Sequence, residues 1–174
     1  MLSKLECKFF TATILEWKHL LKKDVYKEII MDSLRFLVSN NRIYLHAFAL
    51  MDNHIHLLWS IRAPYKQEDI QRDFLKYTGQ MLLKDLRNNN LALLGSFRID
   101  AKDRKYQIWE CNALTTDIWD EAALLPKLHY IHANPVKAGL CNEASEYKYS
   151  SAKYYETGWM SLGFYLIIYK SNAN

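Results

Sequence analysis

Two histidines one residue apart are the first side chains of this 174-residue chain whose spacing indicates chemistry. They are His54 and His56, in the segment MDNHIHLLWS at 51–60, which otherwise has the apolar character of a buried strand. Side chains at positions i and i+2 of a strand lie on the same face, so the two imidazoles are expected side by side. Such a pair binds a metal if a third ligand is supplied, and otherwise has a structural role. The His-x-His spacing alone leaves both interpretations open.

A second stretch, KLHYIHANPVKAGL at 127–140, contains Tyr130 and Asn134. Residues four apart on a helix share one face. Asn134 offers a neutral amide oxygen, and Tyr130 offers a phenol that becomes a nucleophile when a metal makes its substrate electrophilic. The alternative is a helix C-terminus in which Asn134 is a cap and Tyr130 packs. His132, two residues from Tyr130, is predicted to point away from it and to have a structural or surface role.

Hydrophobic periodicity predicts the elements that must position these side chains. The predicted strands are 7–15, 43–50, 54–60 and 105–110, and the predicted helices are 24–37, 68–86 and 116–133. The short link between the second and third strands predicts an antiparallel hairpin. Pro126 is expected to kink or divide the last helix, which should end before Pro135. This order of elements predicts an α+β fold, an antiparallel sheet covered by helices.

The composition is that of one globular domain, predicted to span 1–174 with 146–174 as a C-terminal wrap or tail. Hydrophobic residues make up 50% of the chain and aromatic residues 14%, which is enough for a core and excludes a disordered protein. The net charge of +4 is compatible with a polyanionic partner. No apolar run approaches the roughly 18 residues of a membrane span. Three scattered cysteines without a CxxC pair predict a reducing, cytoplasmic location.

Three motifs in order carry a family resemblance. They are ALMDNHIHLLWS at 49–60, YIHANPVKAGL at 130–140 and EYKYSSAKYY at 146–155. Together they resemble the REP-associated tyrosine transposases, relatives of the insertion-sequence single-tyrosine transposases within the HUH nuclease superfamily. The similarity spans roughly residues 7 to 155. The resemblance implies a fold with a ferredoxin-like antiparallel sheet sandwiched by helices. It also implies an enzyme that cuts single-stranded DNA containing hairpins.

The resemblance also implies roles for individual residues. His54 and His56 match the HUH histidine pair, Asn134 the third ligand of a divalent metal, and Tyr130 the nucleophile. Mg or Mn is the expected metal, and a 5′-phosphotyrosine intermediate is expected to allow strand transfer. Relatives act as monomers or as dimers that exchange the tyrosine helix, so a homodimer is one possible assembly. The predicted function is therefore a DNA endonuclease and strand-transferase. Alternatives are a domesticated, non-catalytic DNA binder and an unrelated metal-dependent hydrolase.

The remaining predictions concern the helix 68–86 and two departures from the family. A basic stripe on that helix is expected either to contact DNA phosphates or to be a solvated face: Arg72, Lys76, Lys84 and Arg87. Tyr77 of the same helix is predicted to lie in the core. Asp52 stands where the family usually has proline, and it is expected to point to solvent. Glu110 stands where relatives often have glutamine, and no contact with the site is predicted for it.

Overall fold

The computed structural model describes residues 6–158, which form a four-stranded antiparallel sheet with helices on both faces. The strands are β1 (Cys7–Thr13), β2 (Ile43–Leu50), β3 (His54–Ile61) and β4 (Leu114–Ile118). The helices are α1 (Asp24–Ser39), α2 (Gln67–Asn89), α3 (Leu91–Gly95), α4 (Glu121–Lys137) and α5 (Ala152–Thr157). The strand order β2-β3-β1-β4, with α1 and α2 as connections, confirms the predicted ferredoxin-like α+β fold. None of the helices within 6–158 is long and apolar enough to cross a membrane.

Successive side chains of β3 point to opposite faces of the sheet. Ile55, Leu57 and Trp59 are fully buried in the main core, which β1 joins through Phe10 and which α1 and α2 cover. The intervening positions, beginning with His54 and His56, face the opposite side. There a smaller apolar cluster anchors α4 to the sheet through Leu124, Ile131 and Leu58, among others. The histidines therefore lie between the sheet and α4.

The hairpin of β2 and β3 is confirmed, but the expectation for its turn is wrong. Asp52 does not point to solvent: its Oδ1 lies 2.9 Å from Nζ of Lys27, and the two side chains are only 15% and 4% exposed. Helix α1 contributes Lys27 to this contact. The carboxylate therefore pairs with a buried ammonium, since neither charge is stable there alone.

The fourth strand was predicted in the wrong segment. Residues 105–110 make only the isolated bridges Ile14–Trp109 and Arg98–Tyr106, whereas Leu114–Ile118 pairs with β1 over five residues. The predicted start of the last helix at 116 is also wrong, because α4 begins at Glu121 after Asp120 caps it. Strand β4 is exposed except at its last residue, so it lacks the hydrophobic alternation that would identify it. Its conformation comes from hydrogen bonding to β1.

Helix α4 continues through both of its prolines, so the prediction that it ends before Pro135 is wrong, and of the two effects predicted for Pro126, a kink or a division, the division does not occur. A proline within a helix costs about 3 kcal/mol because it removes one hydrogen bond and crowds the preceding turn. Packing offsets this cost, since Ile131 is fully buried against the sheet and Pro135 is itself buried. The carbonyl oxygen of Pro135 accepts a hydrogen bond from the Leu140 amide at 2.9 Å, which closes the helix end.

Helix α2 turns a different face to the core from the one predicted. Ile70, Phe74, Leu82 and Leu86 are buried, but Tyr77 is 51% exposed, so its assignment to the core is wrong. The indole of Trp109 decides the rotation of the helix: its Nε1 donates to Oγ1 of Thr78 at 3.0 Å, and it packs against Gly79. These contacts involve a partner 31 residues away, which local periodicity does not encode.

The C-terminal segment covers the edge of the sheet at β2. The Leu50 amide donates to the Tyr149 carbonyl at 2.8 Å, and the Phe48 amide donates to Oγ of Ser151 at 3.0 Å. These bonds pair an edge strand whose backbone would otherwise face solvent. The wrap predicted for 146–174 stays a prediction, and its residues 159–174 lie outside the described part of the chain.

Candidate active site

The two histidines lie at the start of β3, opposite two threonines of β1. Thr13 is the register partner of His54, and Thr11 is the partner of His56. The two imidazole ring centroids are 4.7 Å apart with their planes at 75°. The side-by-side arrangement that the His-x-His spacing predicts is therefore present.

His56 is buried and fixed from both sides, yet one of its nitrogens is left unbonded. Its Nδ1 lies 2.8 Å from Oγ1 of Thr11, and its ring stacks on Phe9 at 5.5 Å. Nε2 is buried and has no hydrogen-bond partner. Burial above all, followed by the charges of His54 and Lys127, lowers the pKa of His56 to about 3. The ring is therefore neutral at physiological pH, which is the form that binds metals.

His54 connects the histidine pair to α4. Its Nδ1 lies 2.7 Å from Oδ1 of Asn53, and the ring of Trp17 contacts it edge-on at a centroid distance of 5.7 Å. Burial lowers the pKa of His54, whereas a hydrogen bond with the side chain of Asn134 acts in the opposite direction. The side chain of Asn134 therefore interacts with His54, so the three side chains predicted as ligands lie close together.

Tyr130 lies one turn before Asn134 on the same face of α4. Its ring centroid is 5.2 Å from that of His56 and 6.0 Å from that of Phe9. The side chain is 44% exposed, so a substrate can reach it from solvent. Tyr130 therefore lies on the same side of the sheet as the histidine pair.

The donor set fits a divalent metal with open positions. Within residues 6–158, no group of three or more histidine, cysteine, aspartate and glutamate side chains is placed to hold a metal ion. A metal at this site would instead have two neutral imidazoles and the amide oxygen of Asn134 as protein ligands. The orphaned Nε2 of His56 is a ready ligand atom, because burial without a partner is costly for a polar group. Three neutral ligands would leave the metal charge uncompensated and further coordination positions open.

Two residues near the site were not singled out from the sequence. Lys127 lies one turn before Tyr130, and its Nζ is 4.6 Å from the centroid of the Phe9 ring. The i−3 spacing from Tyr130 was the available signal for Lys127. Trp17 lies 37 residues before His54 in the sequence, and its contact with His54 arises only through the fold. No pattern in the sequence around Trp17 indicated that it lies near His54.

His132 has a structural role, one of the two predicted for it. Its Nε2 lies 2.8 Å from Oγ of Ser151, and its ring packs against Tyr155 at 5.1 Å. Burial is the main reason that its pKa falls to about 4. His132 therefore ties α4 to the C-terminal segment rather than to the histidine pair.

The basic stripe of α2 is exposed, but it lies away from the histidine pair. Its members, Arg72, Lys76, Lys84 and Arg87, all belong to the helix that covers the opposite face of the sheet. The guanidinium of Arg72 is held by Asp69 at 2.8 Å and by Asp73 at 2.9 Å. Arg72 and Lys76 line a groove of about 510 Å³ that extends along the segment up to Glu110 and Cys111. Glu110 in turn accepts a hydrogen bond from the Glu16 amide, next to Trp17.

The chain was compared with protein-family models, curated proteins and solved structures. No family model and no curated protein matches the sequence. A solved structure described as a REP-associated tyrosine transposase bound to a REP hairpin superimposes with a TM-score of 0.65, at 16% identity over 98% of this chain and 91% of that one. A candidate transposase from Deinococcus radiodurans gives a TM-score of 0.49, at 18% identity over 75% of this chain and 91% of the other. The chain therefore has the fold of that transposase structure.

Proposed function

We propose that this protein is a metal-dependent endonuclease and strand-transferase that acts on single-stranded DNA containing hairpins. The observation that carries the proposal is the convergence of Tyr130 with His54, His56 and Asn134. They come from two distant segments of the sequence and lie on a fold shared with a transposase. The non-catalytic DNA binder is the alternative that the experiment below distinguishes.

The site contains the groups that phosphodiester cleavage by tyrosine requires. Mg or Mn, held by His54, His56 and Asn134, would supply Lewis-acid polarisation of the phosphate. The phenol of Tyr130 loses its proton, and its oxygen attacks phosphorus. The bond from phosphorus to the 3′-oxygen breaks, and that oxygen takes up a proton. The products are a 5′-phosphotyrosine and a free 3′-hydroxyl.

The covalent ester makes strand transfer possible. A phosphotyrosine is a diester with the DNA, so it retains the energy of the bond that was cut. The 3′-hydroxyl of another strand can attack it, release Tyr130 and rejoin DNA without ATP. A half-exposed Tyr130 suits this exchange, because two different strands must reach the same oxygen.

Hairpin DNA is the proposed substrate class. The structural neighbour is described as bound to a REP hairpin, and the present chain carries a net charge of +4 and an exposed basic stripe on α2. Basic side chains of this kind position a nucleic acid without reading its sequence. The homodimer and the cytoplasmic location remain predictions from the sequence.

The test is covalent trapping on a pool of single-stranded DNA hairpins with varied flanks, in Mg or Mn. We expect a denaturant-resistant adduct that disappears with a chelator and in Tyr130→Phe. Tyr77→Phe is the matched control, because Tyr77 is also about half exposed and lies on α2. An adduct that persists in Tyr130→Phe contradicts the assigned nucleophile. Hairpin binding without any adduct favours the non-catalytic binder.

A further inference from the structure

Trp17 stands at the mouth of the histidine site with most of its indole in solvent. The side chain is 58% exposed, and its ring contacts His54 edge-on at 5.7 Å. A large aromatic face held in water forgoes the burial that normally stabilises tryptophan. Here the exposed side chain adjoins His54, one of the side chains proposed to hold the metal.

The backbone around Trp17 is held in a conformation that its residues disfavour. Glu16 and Trp17 have φ angles of 55° and 56°, so two consecutive residues with side chains occupy the left-handed region. Hydrogen bonds hold them there: the Glu16 amide donates to Oε1 of Glu110 at 2.6 Å, and the Trp17 amide donates to the Ile14 carbonyl at 2.9 Å. Strain of this kind persists only where the surroundings enforce it. The turn thereby fixes the direction in which the indole projects.

Asn53 connects this turn to the histidine site. Its Nδ2 donates to the Trp17 carbonyl at 3.3 Å, while its Oδ1 lies 2.7 Å from Nδ1 of His54. The indole and the imidazole are therefore positioned by the same amide side chain. A ligand on the indole would lie in a defined place relative to the proposed metal and phosphate.

We propose that Trp17 is a stacking platform for one unpaired nucleobase adjacent to the phosphate that Tyr130 attacks. This inference rests on the proposed function and assigns it a base-binding subsite. The position of the indole favours a nucleic acid as the occupant, because Trp17 contacts His54, beside which the scissile phosphate of the proposed reaction would lie. Every base has a flat π face, so the subsite takes a base without reading its identity.

The experiment measures the affinity of hairpin DNA in which each flanking nucleotide in turn is made abasic. It uses Tyr130→Phe protein, so that cleavage does not interfere, with Mg present. We expect one abasic position to weaken binding roughly 10- to 100-fold, the usual range for a stacked base. In Trp17→Ala/Tyr130→Phe the intact DNA should bind as weakly as that abasic DNA, with no further loss at that position. Trp17→Phe should retain most of the sensitivity.

Trp119→Ala is the matched control, since Trp119 is 54% exposed and follows β4 at the opposite end of the sheet. It should keep the full abasic sensitivity. If every abasic substitution weakens the Trp17→Ala variant as much as its parent, the stacking inference is overturned while hairpin binding stands. If the parent binds no hairpin at all, the proposed function itself fails. Circular dichroism and unfolding midpoints identify a variant that has simply lost its fold, and Trp17→Phe then decides.

Discussion

Thr11 and His56 face each other across β1 and β3, with Oγ1 of Thr11 2.8 Å from Nδ1 of His56. Because this contact occupies Nδ1, the buried and unbonded Nε2 is the nitrogen left for a ligand. Partners behind a metal-binding histidine fix its ring orientation and tautomer. Thr11 therefore sets the orientation of the His56 ring.

Replacing Thr11 with valine tests this relationship. Valine has nearly the same shape but lacks the hydroxyl, so the His56 ring loses its orienting partner. We expect the Mn concentration required for half-maximal adduct formation to rise about 10- to 100-fold. Thr13→Val is the control, because Thr13 is the register partner of His54, whose Nδ1 is engaged by Asn53 instead. Equal metal requirements in the two variants would show that the Thr11 hydroxyl has no role.

Lys127 is expected to accelerate the chemical step. Its ammonium lies on the face of α4 that carries Tyr130, above Phe9 at 4.6 Å, and a cation there stabilises the charge that develops on the phosphate. Lys127→Gln should slow single-turnover adduct formation by about 10- to 100-fold at saturating DNA. Lys66→Gln is the control, because Lys66 is exposed at the start of α2 beyond the far end of β3. A rate as fast as that of the control would remove Lys127 from the chemistry.

The basic stripe of α2 makes a prediction about salt dependence. If Lys76 and Lys84 contact phosphates, their double replacement by glutamine should reduce the slope of log affinity against log salt by about 0.9 per contact on paired DNA. Arg72→Gln should have a smaller effect, because Asp69 and Asp73 already engage the guanidinium. Hairpin affinities between low and physiological salt provide the measurement. An unchanged slope would identify the stripe as a solvated face.

The buried pair of Lys27 and Asp52 makes a prediction about stability. Asp52→Ala leaves the Lys27 ammonium, whose side chain is 4% exposed, without its partner, and should lower the free energy of unfolding by about 3–5 kcal/mol. Lys27→Met combined with Asp52→Ala should recover part of that loss, since no charge remains buried. Urea denaturation measures both.

Asp32→Ala is the control for that pair, because the Asp32 carboxylate bound to Arg35 is largely exposed, and it should shift the urea midpoint little. A double variant less stable than Asp52→Ala would mean that packing of the Lys27 side chain, rather than its charge, stabilises this part of the fold.

Local periodicity predicted much of the framework from the sequence. The predicted bounds of β2, 43–50, are those observed, because its alternating and aromatic residues fit a sheet wherever it lies. The same period places His54 and His56 on one face, and the helical period places Tyr130 and Asn134 on one face of α4. These relationships depend on residues two to four positions apart, so backbone geometry alone determines them.

Contacts between distant segments of the chain determined the features that local periodicity did not predict. Strand β4 takes its form from pairing with β1, and the rotation of α2 follows from Trp109. Helix α4 passes through two prolines because its packing on the sheet compensates for them. The same packing brings Tyr130 to His56, 74 residues away in the sequence, and the turn at Trp17 to His54. The sequence by itself determined which of these side chains share a face. Only the tertiary structure decided that those faces meet, because burial and strand pairing act between residues that no local pattern connects.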